Sequence, residues 1–205
     1  MTTVTVDMAI SLDGYVAGTD ITPGNPGGDG AEPLFAWIHE LASWRERQGM
    51  TGGRENRDSE LMRAWFDATG AVVMGRTMYD TGERFWGENP PFRTPVFVLT
   101  HRPRPTLVKE GGTTFTFVTD GIHSALERAR AAAGDRNVDI AGGASTVRQY
   151  LREDLVDELH LHVVPALLGA GLRLFEDLGA RRRDLEPVGV VGTPLATHLR
   201  YRFAR

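Results

Sequence analysis

The chain has 205 residues, enough to bury the core of one large domain. Hydrophobic residues make up 41% and charged residues 24%, as in an ordinary globular protein, and no apolar run is long enough for a membrane span. The absence of cysteine excludes disulfides, thiolate metal sites and a cysteine nucleophile. The formal net charge of −4 gives no general attraction to nucleic acid. The first residues lack the basic region of a secretory signal, so we expect a cytoplasmic protein.

The N-terminal third of the chain predicts one strand, one long loop and two helices. Residues 3–10 alternate between apolar and polar side chains and are rich in β-branched residues, which predicts a strand. Residues 18–30 contain five glycines and two prolines, which predicts a mobile loop that acts as a lid. Apolar residues at helical spacing predict a helix over 33–49, and Asp58 or Ser59 is expected to cap a second helix.

Strands alternate with helices through the rest of the chain. This order predicts one α/β domain over residues 1–205, with a mixed sheet and an antiparallel hairpin at the C-terminus. The predicted strands are 71–75, 94–100, 113–119, 138–143, 155–165 and two strands joined around 192–194, and the predicted helices are 145–151 and one that begins at Asp120 and ends near Gly134.

Unusual residues follow three of the predicted central strands. In open α/β sheets, ligands bind beyond the carboxyl ends of the strands, so these residues are candidates for a binding site. The three groups are Gly75, Arg76 and Thr77; Thr100, His101 and Arg102; and Gly142, Gly143, Ala144, Ser145 and Thr146.

The two adjacent glycines point to an anion. Without a Cβ, Gly142 and Gly143 let a bulky group approach the backbone, and the unpaired N–H groups of the following helix would face it. The alternative is a plain glycine turn with Ser145 as the N-cap. Arg76 and Arg102 after neighbouring strands favour the phosphate interpretation, although the chain contains neither the Rossmann fingerprint nor a P-loop.

Two other candidates carry less weight. His160 and His162 lie two residues apart on a predicted strand and could bind a metal, but no third ligand stands at a suitable spacing. We therefore expect a packed or surface pair, and no metal. Asp13 follows the first strand in SLDGYVAG, where it could face a ligand or simply form an Asp-Gly turn.

Five stretches together resemble the dihydrofolate reductase superfamily, and most closely the reductase domain of bifunctional riboflavin-biosynthesis deaminase-reductases and their stand-alone relatives. They follow the order of the family and cover nearly the whole chain. The stretches are MAISLDGYVAG, VVMGRTMYD, PVFVLTHRP, IAGGASTVRQYL and LVDELHLHVVPALLGAG.

The resemblance implies a mixed, mostly parallel sheet flanked by helices, with NADPH bound at the strand ends. Ala9 and Val16 resemble the residues that hold the nicotinamide. The residues that resemble phosphate-binding positions are the three strand-end groups: Gly75, Arg76 and Thr77 for a phosphate turn, Thr100, His101 and Arg102 for the adenosine 2′-phosphate, and Gly142, Gly143, Ala144, Ser145 and Thr146 for the pyrophosphate.

The substrate side departs from the family pattern. Where dihydrofolate reductases carry an acidic residue, this chain has Ser59, and Ile140 and Ala141 stand where riboflavin-pathway reductases often have an acid. Neither pterin nor pyrimidine specificity therefore carries over. We expect a water or the substrate itself to be protonated near Asp13. We expect aromatic contacts to the substrate from Tyr15, Trp65, Phe85 and Trp86, although core packing explains Trp65 at least as well.

The sequence as a whole predicts an NADPH-dependent reductase. It would transfer hydride to a C=N or C=O group of a small substrate, either heteroaromatic (pterin- or pyrimidine-like) or sugar-linked, similar to 5-amino-6-(5-phosphoribosylamino)uracil reductase. The alternative is a non-catalytic NADP(H)-binding module that has lost the catalytic acid. We expect a homodimer formed through the terminal hairpin and strand 155–165, and neither nucleic acid nor membrane as a partner.

Overall fold

A computed structural model of the protein describes residues 2–204. The strands are β1 (Val4–Ser11), β2 (Tyr15–Ala17), β3 (Thr69–Gly75), β4 (Pro95–Leu99), β5 (Leu107–Val108), β6 (Thr114–Val118), β7 (Asn137–Gly142), β8 (Glu158–Val164), β9 (Leu172–Arg173), β10 (Leu185–Gly192) and β11 (Thr197–Phe203). The helices are α1 (Glu32–His39), α2 (Ala42–Arg47), α3 (Arg57–Ala68), α4 (Arg76–Trp86), α5 (Ile122–Ala133) and α6 (Ala144–Arg152), with one 3₁₀ turn at Glu110–Gly112.

A nine-stranded sheet in the order β10-β11-β8-β1-β7-β3-β4-β6-β5 forms the centre of the fold. The six strands from β8 to β6 pair in parallel, whereas β11 and β10 at one edge and β5 at the other pair antiparallel. The structure thus confirms the predicted α/β fold with a mixed, mostly parallel sheet and a C-terminal antiparallel pair. The short strands β2 and β9 form a separate pair.

Alternation along β3 explains why both faces of the sheet are covered. Successive side chains of a strand point to opposite faces. Ala71 and Val73 accordingly pack in the cluster that contains α5 and α6, while Val72 and Met74 pack with Tyr79 of α4. A third cluster lies beneath α1 and α3. All seven residues of β3 are buried, as expected for a central parallel strand.

Three helix boundaries differ from the prediction. The helix expected over 33–49 is two helices, because Leu41 is extended and its segment pairs with Arg54: the Ala42 N–H donates to the Arg54 carbonyl (3.0 Å). The cap of α3 is Asn56, whose side chain accepts from the Ser59 N–H (2.9 Å), and not Asp58 or Ser59. Gly121, not Asp120, precedes α5.

The loop over 18–30 is internally hydrogen-bonded. The Gly18 N–H donates to the Gly27 carbonyl (2.8 Å), the Asp29 N–H donates to the Thr19 carbonyl (2.6 Å), and the Asn25 amide donates to Asp29 (2.6 Å). The prediction of a loop is confirmed, but the loop is a compact unit and its mobility stays a prediction. Across residues 2–204, no helix has the length and apolar character needed to cross a membrane.

Candidate functional site

A large cleft opens at the carboxyl ends of β3, β4, β6 and β7, with a volume of about 1310 Å³. Its first wall, which we call the strand-end wall, is formed by residues within 75–77, 99–102, 118–122 and 141–146. The cleft also contacts the loop over 18–30 and α4. A further part of its boundary, which we call the α1–α2 wall, is formed by Phe35, His39, Trp44, Arg45 and Gln48.

The N-terminus of α6 forms part of the strand-end wall because glycines leave room there. A Cβ on Gly75 would lie 2.3 Å from the Thr146 hydroxyl, so only glycine lets α6 approach the end of β3 this closely. Gly142 adopts a φ of +123°, which favours glycine, and its peptide bond to Gly143 is cis. Gly143, and not Ser145, is the N-cap of α6.

The space in front of Gly143 is open. A Cβ on this residue would meet nothing within 4 Å, and no side chain caps the helix. The first N–H groups of a helix have no intrahelical partner, so α6 directs free donors and the positive end of its dipole towards the cleft. An anion that approaches Gly143 would find these donors unobstructed.

Two arginines at the strand ends share one carboxylate. The Arg76 Nε donates to Asp80 Oδ1 (2.6 Å), and the Arg102 Nη2 donates to Asp80 Oδ2 (3.0 Å). The side chain of Arg76 is 21% exposed and that of Arg102 is 70% exposed. The Thr100 hydroxyl accepts from the Arg102 N–H (3.0 Å) and orders the turn. Asp80 thus holds two cations side by side and only partly neutralises them.

The structure brings most of the predicted site residues together in this one cleft. Those that line it are Val16, Gly75, Arg76, Thr77, Phe85, Trp86, Thr100, His101, Arg102, Gly143, Ala144, Ser145 and Thr146. Ala9 and Gly142 are next in the chain to lining residues but do not themselves line the cleft. Asp13, Tyr15 and Trp65 also lie outside the lining.

Tyr15 and Trp65 are therefore not cleft aromatics. The Tyr15 hydroxyl donates to the Gly169 carbonyl (3.2 Å) and accepts from Arg173 (2.9 Å), whose guanidinium lies over the Tyr15 ring at 4.4 Å. The ring of Trp65 packs against Phe66 with centroids 4.8 Å apart. Trp65 follows the core-packing alternative, and Tyr15 is bonded to residues 169 and 173 instead of facing the cleft.

The carboxylate of Asp13 anchors a loop and is not a proton donor. Its carboxylate accepts from the Ser11 hydroxyl (2.6 Å) and from the backbone N–H groups of Leu168 (3.1 Å) and Gly169 (2.8 Å). These hydrogen bonds, above all the one from Ser11, lower the pKa of Asp13 to about 2. The group is ionised at neutral pH and anchors the loop, and protonation of water or of the substrate near Asp13 stays a prediction.

Four buried side chains, two aspartates and two histidines, form a hydrogen-bonded chain that the sequence analysis did not predict. The His162 Nε2 lies 2.9 Å from Asp7, the two Nδ1 atoms of His162 and His198 lie 2.7 Å apart, and the His198 Nε2 lies 2.8 Å from Asp58. This histidine–aspartate chain joins β1, β8, β11 and α3. The sequence signal that could have found part of it is Asp7, a charged side chain within the predicted strand 3–10.

His160 and His162, which we expected to form a packed or surface pair, both contact Asp7. The His160 Nδ1 lies 3.5 Å from the second Asp7 oxygen, and its Nε2 lies 3.2 Å from Glu158. Over residues 2–204, no group of three or more histidine and acidic side chains has the geometry of a metal site. The two histidines are packed and hydrogen-bonded within the sheet.

The α1–α2 wall was also missed by sequence reasoning, because its residues become neighbours only when α1 and α2 separate at Leu41. None of the described residues that line the cleft is an aspartate or a glutamate. The charged and titratable side chains in the lining are Arg45, Arg76, Arg102, His39 and His101. The cleft therefore presents donors and positive charge without an acid.

Comparison with known proteins agrees with this architecture. The model of the RibD C-terminal domain matches residues 2–194. The uncharacterized protein YwjB of Bacillus subtilis (strain 168) is 27% identical over 171 residues, which are 83% of this chain and 81% of that protein.

Two solved structures share the fold. One, from Shewanella sp. PV-4 and named for riboflavin biosynthesis, has a TM-score of 0.69 at 24% identity, with 100% of both chains covered. A pyrimidine reductase-like protein from Corynebacterium diphtheriae has a TM-score of 0.59 at 14% identity, with 100% of this chain and 92% of that chain covered. The family match over nearly the whole chain, on a sheet of this topology, shows that the protein belongs to the RibD C-terminal domain family, the reductase domain of riboflavin biosynthesis.

Proposed function

We propose that the protein is an NADPH-dependent reductase that adds hydride to a C=N or C=O group of a small substrate. The observation that carries the proposal is the unobstructed N-terminus of α6 at Gly143, flanked by two arginines in a cleft at the strand ends. Membership of a reductase family supports the reaction class.

The residues of the strand-end wall suit a dinucleotide phosphate. Gly143, Ala144, Ser145 and Thr146 would hold the pyrophosphate through helix N–H groups and hydroxyls. The nearby cations would hold further phosphate groups: Arg76 with Gly75 and Thr77 at one strand end, and Arg102 with Thr100 and His101 at the next. A volume of about 1310 Å³ exceeds that of an ordinary small-molecule pocket, which leaves room for a cofactor and a substrate together.

The protein's own task is to orient, to shield and to admit a proton. When bound, NADPH supplies the hydride. Buried Val16, with Ala9 on the adjacent strand, would bound the nicotinamide end and exclude water from it. The described lining contains no carboxyl group that could donate a proton, so we propose that the proton comes from water or from the substrate. His39 is the titratable side chain on the α1–α2 wall.

The substrate we propose is flat and small. The aromatic side chains Phe35, Trp44, Phe85 and Trp86 line the cleft beside the loop over 18–30, and Phe85 is 55% exposed. Trp86 stacks on Phe115 with centroids 5.8 Å apart, so it also supports the core. Heteroaromatic pterin- or pyrimidine-like molecules and sugar-linked derivatives suit such a surface.

Turnover tests the proposal. We expect NADPH to bind and to be oxidised against at least one member of a panel of pterins, carbonyl compounds and 5-amino-6-(5-phosphoribosylamino)uracil, as followed by NADPH absorbance. Binding without oxidation of NADPH by any member would favour the alternative, a non-catalytic NADP(H)-binding module. Failure to bind NADPH would refute both.

We also propose that the protein is a homodimer. Strand β10 pairs with β11 on one side and forms the outer edge of the sheet on the other. Its residues Leu185, Val188 and Val190 are exposed. Exposed apolar edge strands are usually covered by pairing. Light scattering should give twice the chain mass of 22.5 kDa at micromolar concentration, and a monomer mass would refute the proposal.

A further inference from the structure

Arg45 differs from the other two arginines of the cleft because it has no acidic partner. Arg76 and Arg102 both bind Asp80. The Arg45 Nε donates to the Thr51 carbonyl (2.9 Å), and no carboxylate among the described residues lies within ion-pair distance of its guanidinium. Arg45 is partly exposed, and because no described carboxylate pairs with its guanidinium, the two terminal nitrogens keep their capacity to bind an oxyanion through parallel N–H groups.

The backbone around Arg45 is held firmly. The Arg54 N–H donates to the Glu40 carbonyl (2.7 Å), and the Met50 N–H donates to the Arg45 carbonyl (2.8 Å). On the other side of α2, the Ser43 N–H donates to the Ser59 hydroxyl (3.0 Å). These bonds tie α2 to the loop that follows it and to α3, so the guanidinium extends from a fixed base.

A flat apolar surface lies beside this cation. The ring of Trp44 contacts His39, with centroids 5.9 Å apart, and Phe66, with centroids 6.3 Å apart and planes inclined by 29°. Trp44, His39 and Arg45 all line the cleft. Because the described lining contains no acid, nothing on this wall competes with a bound anion for Arg45 or repels it.

We propose that the α1–α2 wall is a substrate subsite in which Arg45 binds the oxyanion group of a flat-ringed molecule whose ring packs beside Trp44. Arg45 is thus a specificity-determining residue that favours anionic substrates over neutral ones. The oxyanion can be a carboxylate or a phosphate, since both accept two parallel hydrogen bonds from a guanidinium. The inference rests on the proposed function and names the substrate class that its cleft accepts.

Two matched pairs of probes separate these chemistries. Orotate against uracil tests a carboxylate, and uridine 5′-monophosphate against uridine tests a phosphate. Each probe is titrated into the cofactor-free protein by calorimetry and by tryptophan fluorescence. We expect an anionic probe to bind more tightly than its neutral partner, by about ten- to a hundredfold for charge-assisted hydrogen bonds.

Three variants then locate the effect. Arg45→Gln should remove the preference for the anionic probe, and Arg45→Lys should restore part of it. Arg57→Gln is the matched control, because Arg57 is exposed, pairs with Glu60 and lies outside the cleft lining. NADPH affinity should be the same in all three variants and in the wild type.

Several results would overturn the proposal. It is wrong if neither anionic probe binds better than its neutral partner, or if Arg45→Gln keeps the preference. It is also wrong if Arg45→Gln weakens NADPH binding instead, because Arg45 would then belong to the cofactor site. None of these results refutes the proposed reductase function, which depends on NADPH binding and turnover by the wild type.

Discussion

The cleft and the histidine–aspartate chain use charged side chains in opposite ways. In the cleft, the helix N–H groups at Gly143 and the guanidinium of Arg45 have donors without partners. In the chain, each ring nitrogen of His162 and His198 is within hydrogen-bond distance of another group, and the Asp58 carboxylate also accepts from Thr193 (2.7 Å). Unused capacity indicates where a ligand binds, whereas a closed network indicates architecture.

The histidine–aspartate chain also restricts which of its nitrogen atoms carry protons. A hydrogen bond between the Nδ1 atoms of His162 and His198 needs one proton donor and one acceptor, so only one of the two Nδ1 atoms carries a proton. Asp7 lies at one end of this hydrogen-bonded pair of rings and Asp58 at the other. Burial, together with the negative charge of Asp7, raises the pKa of nearby Asp139 well above its usual range.

The largest effect is expected from breaking the histidine–aspartate chain. Asp7→Ala leaves His162 without its carboxylate in a buried site, which should lower the free energy of unfolding by about 3–5 kcal/mol. Urea unfolding at neutral pH measures this loss, and Asp135→Asn, at an exposed position, should leave stability unchanged. If Asp7→Ala lowers the free energy of unfolding by less than an ordinary surface substitution does, the histidine–aspartate chain does not stabilise the fold.

The same variant has a pH signature. Burial alone would raise the pKa of Asp7, but the positive charge of His162 and hydrogen bonds from His160 and His162 hold it below its usual range. The stabilisation is therefore complete above the ordinary value of 3.8 and is lost as the pH falls below it. The wild type should lose this part of its stability on acidification, and Asp7→Ala should not.

A substitution at Gly143 tests whether the free donors of the cleft bind a ligand. Gly143→Val adds a side chain whose Cβ would meet no protein atom within 4 Å in the open space before α6, so we expect the fold to persist while NADPH binding weakens about ten- to a hundredfold or more. Circular dichroism and an NADPH titration separate the two effects. Gly192→Val is the control, because its Cβ also meets open space but lies outside the cleft. Normal NADPH affinity in Gly143→Val would make the glycine turn purely structural.

A smaller effect is expected at Arg102. Its guanidinium is 70% exposed and already bound to Asp80, so Arg102→Ala should weaken NADPH binding only about tenfold, at the lower end for a charge-assisted hydrogen bond. NADH lacks the 2′-phosphate and should bind as before, as should both cofactors in the control Arg128→Ala. Equal losses for NADPH and NADH would contradict the assignment of this strand end to the 2′-phosphate.

The smallest effect is expected at Asp13. Asp13→Asn should leave NADPH affinity unchanged, because the carboxylate anchors a loop outside the cleft lining. Since the pKa of Asp13 is lowered to about 2, its contribution to stability is complete above the ordinary value of 3.8 and disappears as the pH falls towards 2. A marked loss of NADPH affinity in this variant would return Asp13 to the site.

The fold and the strand-end wall followed from local patterns. The buried runs before Gly75 and Gly142 predict central strands by their apolar character, and polar residues at once after such strands predict a site at the carboxyl ends. The predicted residues of this wall, from Arg76 to Thr146, do lie in one cleft, because neighbouring parallel strands end at the same edge.

The errors arose where a distant segment decides the local structure. Leu41 leaves the helix because its backbone pairs with Arg54, and Asp58 is buried against His198 and Thr193 rather than capping α3. Tyr15 bonds to residues 169 and 173, more than 150 positions away. Propensity and spacing carry no information about such contacts.

The sequence by itself determined the α/β class, the order of the longer strands along the chain and the glycine turn before α6, but not the short strands β2, β5 and β9. The determined features depend on periodicity and on the steric freedom of single residues. Only the tertiary structure decided that the described lining of the cleft contains no acidic residue. It placed Asp7, Asp58 and Asp139 in the interior, tied Asp13 to a loop, and left Arg45 without a counterion. Charge pairing depends on distances between segments far apart in the chain, and only the packed sheet sets those distances.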